Sequence, residues 1–233
     1  MHKTILYYPF QFTTMISQTE ENYLKAIYKI NEREGKSVNT NAISAAMNTT
    51  AASVTDMIKR LADKDFINYE KYRGVTLTTE GERVATALVR KHRMWEVFLC
   101  DKLGYSWDEC HDLAEQLEHI QSADLIDRLD SFLGKPKFDP HGDPIPDREG
   151  NYAKRQQVLL GEMTVGDKGV MVGVQEHSTA FLQHLDRIGL VLAAEVDVLE
   201  IFEFDKSVKI KLNKTTDLLI SSKVSENVFV KIG

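Results

Sequence analysis

Apolar positions divide the chain into two regimes. From Ser17 to Leu133 they recur at helical spacing. From Met163 to Ile232 they fall in short β-branched, partly alternating runs. Ser17 and Glu20 form a capping-box pair, with Tyr23, Leu24, Ile27, Tyr28 and Ile30 behind it, which predicts a first helix. Thr40 or Asn41 is placed to cap a short helix around Ile43 and Ala46. Thr50 is placed to open another, carrying Val54, Met57, Ile58 and Leu61. The stretch from Phe66 to Thr78 alternates around Gly74 and predicts a hairpin. Helix, turn, helix and hairpin make a winged helix-turn-helix, whose second helix would enter a DNA major groove.

Three further helices are predicted. Thr79 and Glu82 open a long one that ends near Gly104. Ser106 and Glu109 open one through His111, Leu113 and Leu117, and the last runs from about Ser122 to Leu133, with Gly134 as its stop. Four of the five prolines, Pro136, Pro140, Pro144 and Pro146, then cluster with Gly134, Gly142 and Gly150, a composition that reads as a linker. Downstream, five strand-like runs and one short helical pattern (Ser178 to Ile188) predict a small barrel resembling an SH3 fold. The fold class is mainly α with a small β domain. Its expected parts are a tail (1–16), the winged helix (17–79), a helical domain (80–135), the linker (136–160) and the SH3-like domain (161–233).

Composition narrows the function. No run approaches the ~18 uninterrupted apolar residues of a spanning helix, and no secretory signal is recognisable, so a cytoplasmic protein is expected. Cys100 and Cys110 are too few for a disulfide framework or a four-thiolate zinc site. The net charge of −6 argues at first sight against a nucleic-acid partner. However, residues 17–80 hold nine Lys/Arg and nine Asp/Glu, so the acidity lies downstream of the winged helix.

Candidate chemistry lies on two helices. His92 and Glu96 are i and i+4 on the long helix, while His111, Glu115, Glu118 and His119 fall within an arc of roughly 100° if all four are helical. Imidazole and carboxylate without thiolate suit Mn(II), Fe(II) or Zn(II). Cys110 is expected about 100° to the other side of His111. On the DNA side, Thr50, Ser53, Thr55, Lys59, Arg60, Lys71 and Arg73 are candidates for phosphate or base contacts. A metal-dependent hydrolase and a winged-helix regulator of an organic ligand are alternatives. The first leaves the helix-turn-helix without a role, and the second leaves the His/Glu face merely structural.

The stretches TEENYLKAIYKI, TNAISAAMNTTAASVTDMIKRLADKDFI, YEKYRGVTLTTEG, VRKHRMWEVFL, HDLAEQLEHI and HGDPIPD together resemble the diphtheria-toxin-repressor family, including its manganese-regulator branch. That resemblance implies a metal-dependent repressor of manganese or iron homeostasis genes, not an enzyme. It also implies a homodimer on operator DNA and a C-terminal SH3-like (FeoA-like) domain. His92, Glu96 and His111 match one metal site of the family, completed from the β domain, where His177 lies near the expected ligand position. Glu115, Glu118 and His119 match the other. Glutamate at 115, where iron-type members carry cysteine, favours Mn(II) over Fe(II), with Zn(II) a further occupant in vitro. Asn22 stands where the family's first helix supplies methionine or aspartate.

Overall fold

The computed structural model describes residues 16–35, 37–70 and 73–233. The expected tail lies almost wholly outside them. Two compact units divide the chain, one ending at Thr86 and the other starting at Ala87.

In the first unit, α1 (Gln18–Glu34) starts at the Ser17/Glu20 capping box and stops at Gly35, whose φ of 64° suits glycine. α2 (Thr40–Ala46) is capped by Asn39 rather than by Thr40 or Asn41: its side chain accepts from the Ala42 N–H. Thr50 caps α3 (Ala51–Asp63), which buries Val54, Met57, Ile58 and Leu61. The hairpin pairs β1 (Ile67–Glu70) with β2 (Gly74–Leu77), Ile67 facing Leu77. Gly74 is required there, because a Cβ would meet the Val38 carbonyl at 2.7 Å and φ is +96°. Lys64, which follows α3, reaches back to the buried Glu20 at 2.7 Å and so ties α3 to the start of α1.

α4 (Thr79–Leu103) is capped one residue earlier than expected, by the Thr78 hydroxyl, which accepts from the Gly81 N–H at 3.1 Å. In the second unit, Ser106 and Glu109 do bond to each other, but the regular helix α5 (Cys110–Leu117) begins after them. It also ends early: Glu118 is its C-terminal cap and His119 lies beyond. Ser122 caps α6 (Ala123–Phe132). Met94, Trp95, Val97, Leu99, Cys110, Ala114, Ile126 and Leu129 pack one core together with Ile145.

Ile145 belongs to the proline-rich stretch, which is not a loose connector. Asp139 and His141 are buried there too. Asp139 Oδ1 accepts from the backbone N–H groups of His141 and Asp143, closing a tight turn. Gly142 (φ +88°) packs so closely that a Cβ would stand 2.1 Å from the Val172 carbonyl. Proline and glycine mark irregular backbone here, and that backbone is packed.

The β part is one antiparallel six-stranded sheet in the order β3-β8-β4-β5-β6-β7. Its strands are β3 (Val158–Leu159), β4 (Lys168–Val174), β5 (Glu195–Ile201), β6 (Val208–Leu212), β7 (Thr216–Ile220) and β8 (Val228–Ile232). The two-residue β3 exceeds the five strands expected. α7 (Thr179–Ile188) packs Leu182 and Leu185 into this core, and a short α8 (Ser222–Ser225) precedes β8.

Candidate metal centre

α4 and α5 bring together the histidines and carboxylates expected from their spacing, in one array with His92, Glu96 and Glu118 buried and His111 and Glu115 partly exposed. His92 is its hub. Its Nδ1 lies 2.7 Å from Glu118 Oε2 and 3.7 Å from Glu115 Oε1. Its Nε2 lies 2.9 Å from Glu96 Oε1 and 3.2 Å from His111 Nδ1. His111 Nε2 is 3.6 Å from Glu115, and His119 Nε2 is 3.9 Å from Glu118. The two ligand sets expected to be separate therefore meet across one imidazole. One ligand atom each of His92, His111 and Glu115 fits within 4.8 Å.

A second cluster begins where the first ends. Glu96 Oε2 faces His141 Nδ1 at 3.7 Å, and Glu96, Cys110 and His141 again place their ligand atoms within 4.8 Å. Cys110 thus does avoid the His111/Glu115 face, but it turns toward this neighbouring group. Contact with Cys100, then burial and the nearby carboxylate charges, push its thiol well above the usual range.

His141 is hidden in the sequence by its linker-like surroundings. Its Nε2 is 2.7 Å from the Trp107 carbonyl. A carbonyl only accepts, so Nε2 carries a proton, and Nδ1 faces the carboxylates of Glu96 and Asp139. His177 stacks on His141 with ring centroids 4.9 Å apart and stands 4.0 Å from Asp143. It therefore borders the second cluster.

The electrostatics follow from burial. Desolvation favours a protonated Glu96, but hydrogen bonds with His111, His141 and His92 outweigh it and hold the carboxyl well below its ordinary range. Burial, then the charges of Glu96 and Asp143, push Asp139 up to about 7. Burial disfavours the charged His141, yet Glu96, Asp139 and the Trp107 carbonyl raise it to about 9. Burial lowers His177, assisted by the charge of His141 and opposed by Asp143. Arg93 braces the segment, with Nη2 3.1 Å from Asp143, Nε 3.5 Å from Asp139 and Nη1 donating to the Pro144 carbonyl at 2.6 Å.

Asn22 belongs to the first unit, on α1. Its Oδ1 is buried and has no hydrogen-bond partner among the described residues. The expected DNA contacts also lie in that unit. Thr50 spends its hydroxyl oxygen on the α3 cap, and Thr55 donates to the Ala51 carbonyl at 2.8 Å. Ser53, Lys59, Arg60 and Arg73 are exposed, while Lys71 lies outside the described residues.

A winged helix followed by a helical domain rich in buried imidazole and carboxylate defines the class of metal-responsive regulators. Comparison with known proteins agrees. Residues 15–75 match the iron dependent repressor N-terminal DNA binding domain, residues 78–147 the iron dependent repressor metal binding and dimerisation domain, and residues 158–232 the FeoA domain. The chain is 34% identical to the iron-dependent repressor IdeR of Mycobacterium leprae over 128 residues, which are 55% of each chain. It thus spans about half the length of that curated relative. It is 33% identical to the HTH-type transcriptional regulator MntR of Oceanobacillus iheyensis, over 54% of this chain and 84% of the relative. A solved manganese-dependent transcriptional repressor in complex with manganese superposes with a TM-score of 0.82 at 32% identity, over 92% of this chain and all of the other. The chain belongs to the iron-dependent repressor family, of which the diphtheria toxin repressor is a member. Among the described residues no helix is long and apolar enough to cross a membrane.

Proposed function

We propose that the chain is a metal-activated transcriptional repressor of manganese or iron homeostasis genes, with Mn(II) as its preferred ion. The observation that carries this reading is the buried array around His92 and Glu96. Glu96 and Glu118 are both almost fully buried and converge on one imidazole. Buried carboxylates are costly unless a cation or strong donors offset them. The donor set fits a divalent ion: carboxylate oxygen and imidazole nitrogen, with the Cys110 thiol beside the second cluster. His92, Glu96, His111 and Glu115 would hold one ion, with Glu118 and His119 flanking it. Glu96, Asp139 and His141 would hold a second, with His177 alongside. A bound ion supplies the positive charge that these side chains converge on.

The protein's own part is to convert that convergence into order. His92 and Glu96 come from α4, His111 and Glu115 from α5, and His141 from the segment after α6, so bridging them fixes three elements together. Leu103, Tyr105, Leu125 and Phe132 are exposed apolar residues on the same helical part, which supports its use as a homodimer interface. The winged helices of such a dimer would address two half-sites of double-stranded DNA. Metal acts only through its differential affinity for the DNA-competent form. The test is an operator-binding assay run in parallel with Mn(II), Fe(II), Zn(II) and chelator. Binding that is unchanged by chelator excludes metal activation.

A further inference from the structure

The most outward residues of α3 are not the hydroxyls and most of the cations expected to meet DNA. With Ala52 at zero, Asp56 lies near 40°, Lys59 near −20° and Asp63 near 20° around the helix, at about 100° per residue. The buried Val54, Met57, Ile58 and Leu61 lie at about 140–240°, on the opposite side. Ala52, Asp56, Lys59 and Asp63 are all exposed. The stripe that projects straight away from the core is thus a methyl, a carboxylate, an ammonium and a second carboxylate.

A carboxylate in that position has few uses. Asp56 is 72% exposed and cannot approach phosphates without repulsion. Its neighbour Lys59, 3.6 Å away, offsets that charge but leaves carboxylate lone pairs for other donors. Major-groove edges supply donors only from the exocyclic amino groups of cytosine and adenine, and carboxylates accept from cytosine N4. Adenine sets its amino group beside the N7 acceptor, which a carboxylate cannot satisfy and an amide can. Ala52 has only a methyl group to offer, whose counterpart is the thymine C5 methyl. Both lie in the N-terminal two turns of α3, the part that helix-turn-helix proteins present to bases. Asp63 ends the helix, outside that part.

We infer that Asp56 specifies a cytosine and Ala52 a thymine in each operator half-site. The residues are about 6 Å apart along the helix axis, so the two bases fall within one to two steps of each other. This rests on the DNA-binding reading above.

The test is selection from a randomised duplex pool by the full chain with Mn(II), Fe(II) or Zn(II), followed by sequencing. The wild type should enrich cytosine at one fixed position per half-site. Asp56→Ala should lose the preference at that position alone, and Asp56→Asn should move it to adenine. Replacing the adjacent thymine by uracil should weaken the wild type several-fold, and Ala52→Gly should abolish that difference. Asp56→Ala that enriches the same bases everywhere, merely binding all sequences more tightly, overturns the assignment: the carboxylate would then be only a repulsive surface charge. A wild type that enriches nothing with any metal overturns the regulatory reading and this one with it. Both side chains are exposed, and circular dichroism of each variant separates a lost preference from lost folding.

Discussion

His141 donates its Nε2–H to the Trp107 carbonyl at 2.7 Å. That one bond orients a buried imidazole and directs its Nδ1 to the carboxylates of Glu96 and Asp139. His141→Ala should therefore lower the metal stoichiometry by one ion per chain in calorimetric titration. An unchanged stoichiometry would remove His141 from the ligand set.

The same residue sets a pH dependence. His141 is raised to about 9 in the folded chain, against about 6.5 when unfolded. Its contribution to metal-free stability is complete below about pH 6.5 and is lost as pH rises through about 9. Asp139, raised to about 7, acts in the same direction, since the folded state holds its proton more firmly. The metal-free protein should thus lose thermal stability between about pH 6 and 9. Metal affinity should rise over the same interval, because binding releases these protons. A Tm that is level or rising across the interval would contradict the charged His141.

The double change Glu115→Ala and His119→Ala should leave the fold intact, since Glu115 is only partly buried and both residues lie at the end of α5 or beyond it. It should remove most of the metal dependence of DNA binding. The measurement is a mobility shift over a Mn(II) series, and a midpoint equal to wild type would refute the assignment.

Much of this centre is legible in the sequence, and the reason is helical periodicity. His92 and Glu96 are one turn apart, as are His111 and Glu115, so spacing alone places each pair on a face. Ser17/Glu20 and Ser122 mark helix starts as well. The differences at Asn39 and Thr78 are single-residue shifts between neighbouring capping residues with equivalent chemistry. Glu118 and His119 are harder, because nothing in their composition shows that α5 stops at Leu117. Spacing does not single out Asp139 or His141, although His141 begins the HGDPIPD stretch. Proline and glycine report irregular backbone equally for a mobile linker and for a buried loop. The approach of His141 to Glu96, 45 positions apart in the chain, has no periodic signature.

Gly142 offers a direct test that this stretch is structural. Its φ is +88°, and a Cβ at this position would lie 2.1 Å from the Val172 carbonyl, which leaves no room for a side chain. Gly142→Ala should destabilise the chain by roughly 1–3 kcal/mol or more, read from denaturant midpoints. A flexible linker would show no change.

Arg73, on the wing, is exposed and only 3.1 Å from Glu70. Surface pairs of this kind contribute little to stability, so Arg73→Ala should unfold like wild type. It should nevertheless weaken DNA binding about equally across sequences and reduce the slope of log affinity against log salt by about one. A slope equal to wild type would place Arg73 outside the phosphate footprint.

Glu96 presents one oxygen to His92 and His111 and the other to His141. On the proposed function, two ions would share the charge of this one carboxylate. Each would alter the field that the other meets, and thermodynamics makes the effect mutual: whatever filling one site does to the affinity of the second is returned in equal measure. On that reading the chain's response to metal concentration would be a property of the pair. Its steepness, and not only its midpoint, would be set at a single side chain.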